Sequence, residues 1–325
     1  MNRASAQKSN LRYESRPRRR GRVKRPVLLT RFFAVTLALC ITVLLGSCVA
    51  ADASTDNAQE APQTIADSVP EIVNDVPEPE NTATSPSSAA TSATGNSDRT
   101  TQTNDIEARI AAGDATAKIC YLTFDDGPSA NTAGILKVLK EKDAVATFFV
   151  KGTSDMLSMV KDEEAAGCAV GLHTYSHDYA QIYSSDAAYF QDLAAIQDAV
   201  TAQLGHSVNI VRFPGGTSNT VSASYSSGIM TRLTQSVPAA GYQYFDWNVS
   251  GGDSTPQPAE VSYIHNNVME GASGAQRICV LMHDSSKKST TVDALPGVID
   301  DLRAQGYSFG VLTHDTPAFH HQAGN

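Results

Sequence analysis

The stretch "YLTFDDGPSA", Tyr121 to Ala130, decides how the chain is read. Its first half is apolar and β-prone, so it reads as a strand. The strand stops on two adjacent carboxylates, Asp125 and Asp126, and Gly127-Pro128 turns the chain at once. A turn accounts for the glycine and the proline. It does not account for two like charges at one strand end. "NTAGILKVLKEKD" follows with helical spacing, so the unit is a strand, a turn and a helix.

Working outward, the same alternation repeats. Strands are expected at 118–125, 146–152, 169–174, 209–216, 243–249, 277–284 and 307–313, each short and rich in Val, Ile, Phe and Tyr. Helices are expected at 131–143, 154–167, 185–205, 227–241, 258–272 and 291–306. Gly167, Gly205, Gly241 and Gly306 suit the left-handed C-terminal cap. Strands with helical crossovers predict a parallel α/β sheet, either a barrel or an open doubly wound sheet. The polar residues collect at one end of these strands. Asp125 and Asp126 close the first, His173 the third, Arg212 with Pro214 and Gly215 the fourth, Trp247 the fifth and His283 the sixth. In α/β barrels that rim carries the active site.

The rest of the chain bounds the context. Of 325 residues, the first 25 hold ten Lys/Arg and one acid, Glu14, so about +9; the other 300 carry about −18. An acidic domain argues against a nucleic-acid partner. The basic N-terminus, 1–31, precedes "FFAVTLALCITVLLGSCVAA", residues 32–51, a run of 20 residues without a charge. That length spans a bilayer, and the flanking positive charge predicts a cytoplasmic N-terminus with the rest outside. The expectation is a single-pass membrane anchor; a cleaved signal, leaving a secreted protein, and a lipoprotein anchored at Cys48 of "LGSC" stay open. Residues 52–110 are rich in Ala, Ser, Thr, Asp, Asn and Pro and read as a flexible extracytoplasmic linker. The folded domain is expected at 111–316, with a polar tail at 317–325. Among the five cysteines, Cys120, Cys168 and Cys279 read as buried thiols; a Cys120–Cys279 bridge stays open.

"HTYSH" sets His173 and His177 four residues apart, a spacing at which two imidazoles meet one ion if the chain turns there. An aspartate from another strand end completes a set of two histidines and a carboxylate, suited to zinc and also to cobalt or another divalent ion. The paired acids then divide: one binds the ion, and the other takes a proton from a water beside it. "CVLMHDSS" supplies His283, an imidazole able to protonate a departing amine.

The set "TFDDG", "HTYSH", "RFPGG" and "LMHD", in that order over roughly residues 115–315, resembles the polysaccharide deacetylase family, also called the NodB-homology domain or carbohydrate esterase family 4. The resemblance implies a distorted (β/α)7-8 barrel and metal-dependent removal of N-acetyl groups from cell-wall or chitin-like sugars; a membrane tether, holding the domain near the wall, makes peptidoglycan N-acetylglucosamine the first substrate. Chitin oligomers and O-acetylated xylan come next. It implies Asp125 as general base, His283 as general acid, and Asp126, His173 and His177 as ligands of a metal, usually zinc. It also implies Arg212 as the residue that orients Asp125, the Gly215 N–H as an oxyanion donor, Leu281 in the acetyl pocket and Trp247 as a wall of the sugar groove. The family usually has an aspartate three residues after that tryptophan, tuning the catalytic histidine. Here that place holds Ser250, flanked by Asp246 and Asp253, either of which could supply the carboxylate. A non-catalytic glycan-binding protein on a degenerate domain is the reading of another class. The remaining histidines, His206, His265, His314, His320 and His321, read as solvent-facing or structural, and the oligomeric state is left open.

Overall fold

Strand β1 (Ile119–Asp125) is buried along its whole length, and its alternation explains the architecture. Cys120, Leu122 and Phe124 face the helices, whereas Ile119 and Tyr121 face inward. A strand covered on both faces belongs at the centre of a parallel sheet. A computed structural model describes residues 90–325, and in it β1 is central. It pairs in parallel with β2 (Ala146–Val150) on one side and β7 (Arg277–His283) on the other. Beyond β2 come β3 (Ala169–Leu172), β4 (Ile210–Val211) and β5 (Gln243–Tyr244); beyond β7 comes β6 (Val249–Ser250). β8 (Ser308–Phe309) joins the first two residues of β1. Every pairing is parallel, and the sheet curls into a distorted barrel.

Helices α2 (Ala130–Glu141), α3 (Val160–Ala165), α5 (Asp186–Leu204), α6 (Ile229–Ala239), α7 (Val261–Ala272) and α8 (Ser289–Ala304) follow the expected alternation. A one-turn helix, α4 (Tyr179–Ile182), is added after "HTYSH". The four glycines expected to close helices all take positive φ. The helix-facing core holds Leu122, Phe124, Phe148, Leu172, Leu193 and Val280 among others. The barrel interior is smaller and more aromatic, with Tyr121, Phe149, Phe245 and Phe319.

Three expectations change. The strand expected over 243–249 is two strands: β5 lies at one end of the sheet order and β6 at the other. Residues 245–248 carry the chain across the gap between them, so Trp247 sits in the crossing and not at a strand end. Helix α1 (Ala90–Ala111) occupies the C-terminal end of the stretch read as a linker. It is held because Ile106 is buried in the barrel-interior cluster and Glu107 accepts hydrogen bonds from Tyr121 and Arg277. The stretch 317–325 is packed, not a free polar tail: Phe319 is buried and the Gly324 N–H donates to Thr217 O at 2.8 Å.

Register also removes the disulfide. Cys120 pairs with Ile278 and Cys279 with Tyr121, so the two thiols point to opposite faces of the sheet. Cys120, Cys168 and Cys279 are buried and free. The basic N-terminus, the apolar run 32–51 with Cys48, and linker residues 52–89 lie outside the described residues. Among the described residues, no helix is long and apolar enough to cross a membrane.

Candidate active site and metal centre

Alternation along β1 puts Asp125 at the top of the barrel interior, 3 % exposed, while His283 is its in-register partner on β7. The two therefore face the same mouth from neighbouring strands. Asp126 is past the strand end and takes φ 74°, a left-handed conformation costly for a residue with a side chain. His177 (φ 55°) and Thr174 (φ 73°) do the same across the mouth. Strained backbone at three such positions turns Asp126 and His177 toward one point. The turn needs glycine at 127: a Cβ there would lie 2.1 Å from the Asp284 carboxylate.

Asp126, His173 and His177 offer ligand atoms that all lie within 4.8 Å of one another. Asp126 Oδ1 stands 3.2 Å from His177 Nε2 and 3.8 Å from His173 Nε2. That oxygen is buried and makes no hydrogen bond. His173 Nδ1 donates to Arg212 O at 2.9 Å, which leaves the Nε2 lone pair facing the carboxylate. Burial pushes the His177 imidazole down to about 4, helped by His173. Burial raises the Asp126 carboxyl, but His173 and His177 outweigh it and the net shift is downward. Two imidazole nitrogens and a carboxylate oxygen with no hydrogen-bond partner, close together, fit a divalent cation. The loop between the histidines is held by Asp192, whose carboxylate accepts the N–H groups of Tyr175 and Ser176. Nothing local in the sequence marks Asp192, which lies mid-helix on α5 beside Gln191.

Arg212 is fully buried across the barrel interior. It donates to Asp125 Oδ1 at 2.9 Å, Thr123 Oγ1 at 2.6 Å, Phe245 O and Asp246 O at 3.0 Å, and stacks 4.2 Å over the Phe149 ring. Burial disfavours its charge, but Asp125 outweighs that and the guanidinium stays protonated. Its contact with Asp125 spans from the residue just past β4 to the end of β1 and orients the carboxylate. Leu281, 7 % exposed, lies two residues before His283 on the same face of β7. Gly215 is exposed with φ 78°, and its N–H makes no hydrogen bond among the described residues.

The two acids flanking Ser250 take separate places. Asp253 accepts from His283 Nδ1 at 2.8 Å with one oxygen, and from the His283 N–H and Thr291 Oγ1 at 2.8 Å with the other. The Lys288 ammonium anchors the Asp253 carbonyl. Asp246 does not reach His283. It accepts from the Thr217 N–H and hydroxyl and from the His321 N–H, joining Thr217, just past the Arg212–Gly216 turn, to His321. His321 Nε2 in turn lies 2.6 Å from Trp247 O, and the two flank a cavity of about 500 Å3. His320 stacks on Tyr244, whereas His206, His265 and His314 pair with surface acids. Asp246→Asn replaces a charged acceptor of three hydrogen bonds by an amide. It is expected to cost about 2–3 kcal/mol in urea unfolding.

Known proteins similar to this chain share its family and fold. A family model described as polysaccharide deacetylase matches residues 112–230. A peptidoglycan-N-acetylglucosamine deacetylase of Bacillus cereus is 33 % identical over 198 residues, which cover 59 % of this chain and 68 % of that one. The catalytic domain of a peptidoglycan N-acetylglucosamine deacetylase from Eubacterium rectale ATCC 33656 aligns with a TM-score of 0.62 and 44 % identity, over 64 % of this chain and 94 % of that one. A polysaccharide deacetylase structure from Bacillus cereus gives 0.54 and 29 %, over 62 % and 96 %.

Proposed function

The chain belongs to the polysaccharide deacetylase family, and on that premise we propose that it is a metal-dependent hydrolase removing N-acetyl groups from peptidoglycan N-acetylglucosamine. The observation that carries this reading is the convergence of Asp126, His173 and His177 beside Asp125, with His283 facing them. The peptidoglycan assignment is supported by the names of the relatives from Bacillus cereus and Eubacterium rectale.

Asp126, His173 and His177 would hold the ion, with zinc the first choice for this donor set. When bound, a divalent cation polarises a carbonyl and lowers the pKa of a water. Asp125, fixed by Arg212, takes the proton as the water adds to the acetyl carbon. The Gly215 N–H donates to the carbonyl oxygen as charge grows there. His283 gives its proton to the departing amine. Asp253 binds His283 Nδ1, so Nε2 is the nitrogen presented to the mouth. Acetate and a free amine result.

The charge pattern of residues 1–51 supports placing the domain outside the cell on a membrane anchor, near the wall it would act on. Mass spectrometry of the mature N-terminus checks this: an intact residue 1 supports the anchor, and a lipidated Cys48 supports the lipoprotein alternative. The activity is tested by acetate release from purified peptidoglycan, chitin oligomers and acetylated xylan. Chelation is expected to lower release at least about tenfold, with recovery on adding zinc. Undiminished release in chelator would overturn the metal role, and release from xylan alone would reassign the substrate.

A further inference from the structure

Tyr179 opens α4, two residues after His177. Its ring meets His177 edge to face at 5.9 Å and Tyr183 at 5.3 Å. The Tyr183 hydroxyl donates to Pro214 O at 2.8 Å, so two aromatic rings join the "HTYSH" loop to the Arg212–Gly216 turn. The Tyr179 hydroxyl stands against Gly215: a Cβ built there would lie 2.5 Å from the phenol oxygen. Neither that hydroxyl nor the Gly215 N–H makes a hydrogen bond among the described residues. The phenol oxygen and the Gly215 backbone thus stand close together beside His177, one of the metal triad. Packing against His177 and Tyr183 asks for a ring and not for a hydroxyl.

Resting on the deacetylase reading above, we infer that Tyr179 is a second oxyanion donor, its O–H hydrogen-bonding the acetyl carbonyl oxygen beside the Gly215 N–H. Tyr179 keeps its proton throughout. The bond that forms joins water oxygen to the carbonyl carbon, and the bond that breaks is carbon to nitrogen. Asp125 receives the water proton and His283 supplies the amine proton, so the phenol only stabilises charge on the oxygen. Donors aimed at that oxygen act mainly in the transition state, so their loss falls on kcat.

The test is Tyr179→Phe in the full-length protein loaded with zinc, assayed on N-acetylated chitin oligomers. The ring and both of its edge contacts remain. The expected result is a fall in kcat of about 10- to 100-fold, with KM within about twofold and zinc content unchanged. Acetate affinity, measured by calorimetry without turnover, is expected to weaken about fivefold. An unchanged kcat, a loss confined to KM, or a loss that tracks missing zinc overturns the assignment. Asp125→Asn in the same assay separates the two readings. If it is inactive while Tyr179→Phe matches wild type, only the tyrosine inference fails. If it is as active as wild type, the mechanism itself fails. If wild type releases no acetate, the acetate affinities still decide the tyrosine: equal values overturn it.

Discussion

Asp125→Asn is expected to lower kcat for acetate release by about a thousandfold while the protein still folds and still binds zinc. Asp125 Oδ1 receives Arg212, and Oδ2 lies 3.8 Å from His173 Nε2, so the second oxygen is the one free to accept a proton. Asparagine keeps the shape and one acceptor oxygen for Arg212. It cannot take the proton. The substitution also leaves a buried guanidinium without its counter-charge, so unfolding in urea is expected at about 3 kcal/mol less stability. The two effects separate by measurement. Activity is read at a temperature where circular dichroism shows the variant folded, and zinc is read by elemental analysis. Full activity of the folded, zinc-loaded variant would remove Asp125 from the role of base.

Much of this arrangement was legible in the sequence because its members stand at strand ends. A strand end is marked locally, by an apolar run that stops. Asp125, His173 and His283 therefore announced both their position and their direction. Asp126 was legible as a partner of Asp125, although the reason it diverges is a left-handed backbone and not the simple alternation of a strand. What stayed hidden depends on contacts between distant segments. The run "QYFDWNV" is dominated by Tyr, Phe, Trp and Val and reads as one strand, and nothing local says that β5 and β6 go to opposite ends of the sheet order. Residues 317–325 look polar. Their role comes from Phe319 entering the barrel interior and from backbone groups that meet Asp246 and Thr217. Helix α1 was masked by its polar composition, though Ile106 and Ile110, four apart, were a signal of a buried face. The choice between Asp246 and Asp253 required knowing which one faces β7.

That choice makes the second large prediction. Asp253→Asn is expected to lower kcat about a hundredfold and to move the alkaline limb of the pH–rate profile to lower pH. Burial pulls the His283 imidazole down, but the hydrogen bond and charge of Asp253 outweigh it, with Asp125 and Asp126 adding, so the net shift is upward. A general acid works in its protonated form. Activity is therefore present below the His283 pKa and lost as pH rises through it. With asparagine at 253 the charge is gone, the burial effect gains weight, and the loss sets in at a lower pH. The amide also presents an N–H toward His283 Nδ1 or gives up Thr291 and the His283 N–H, so the ring is less well held. Ser250→Asp is the counterpart. Ser250 is exposed on β6 and its Oγ accepts the Gly252 N–H, so a carboxylate there is not expected to restore the limb in the Asp253→Asn background. A purely structural role for Asp253 would lower kcat equally at every pH. An alkaline limb that stays in place in Asp253→Asn would sink the pairing as the device that keeps His283 charged.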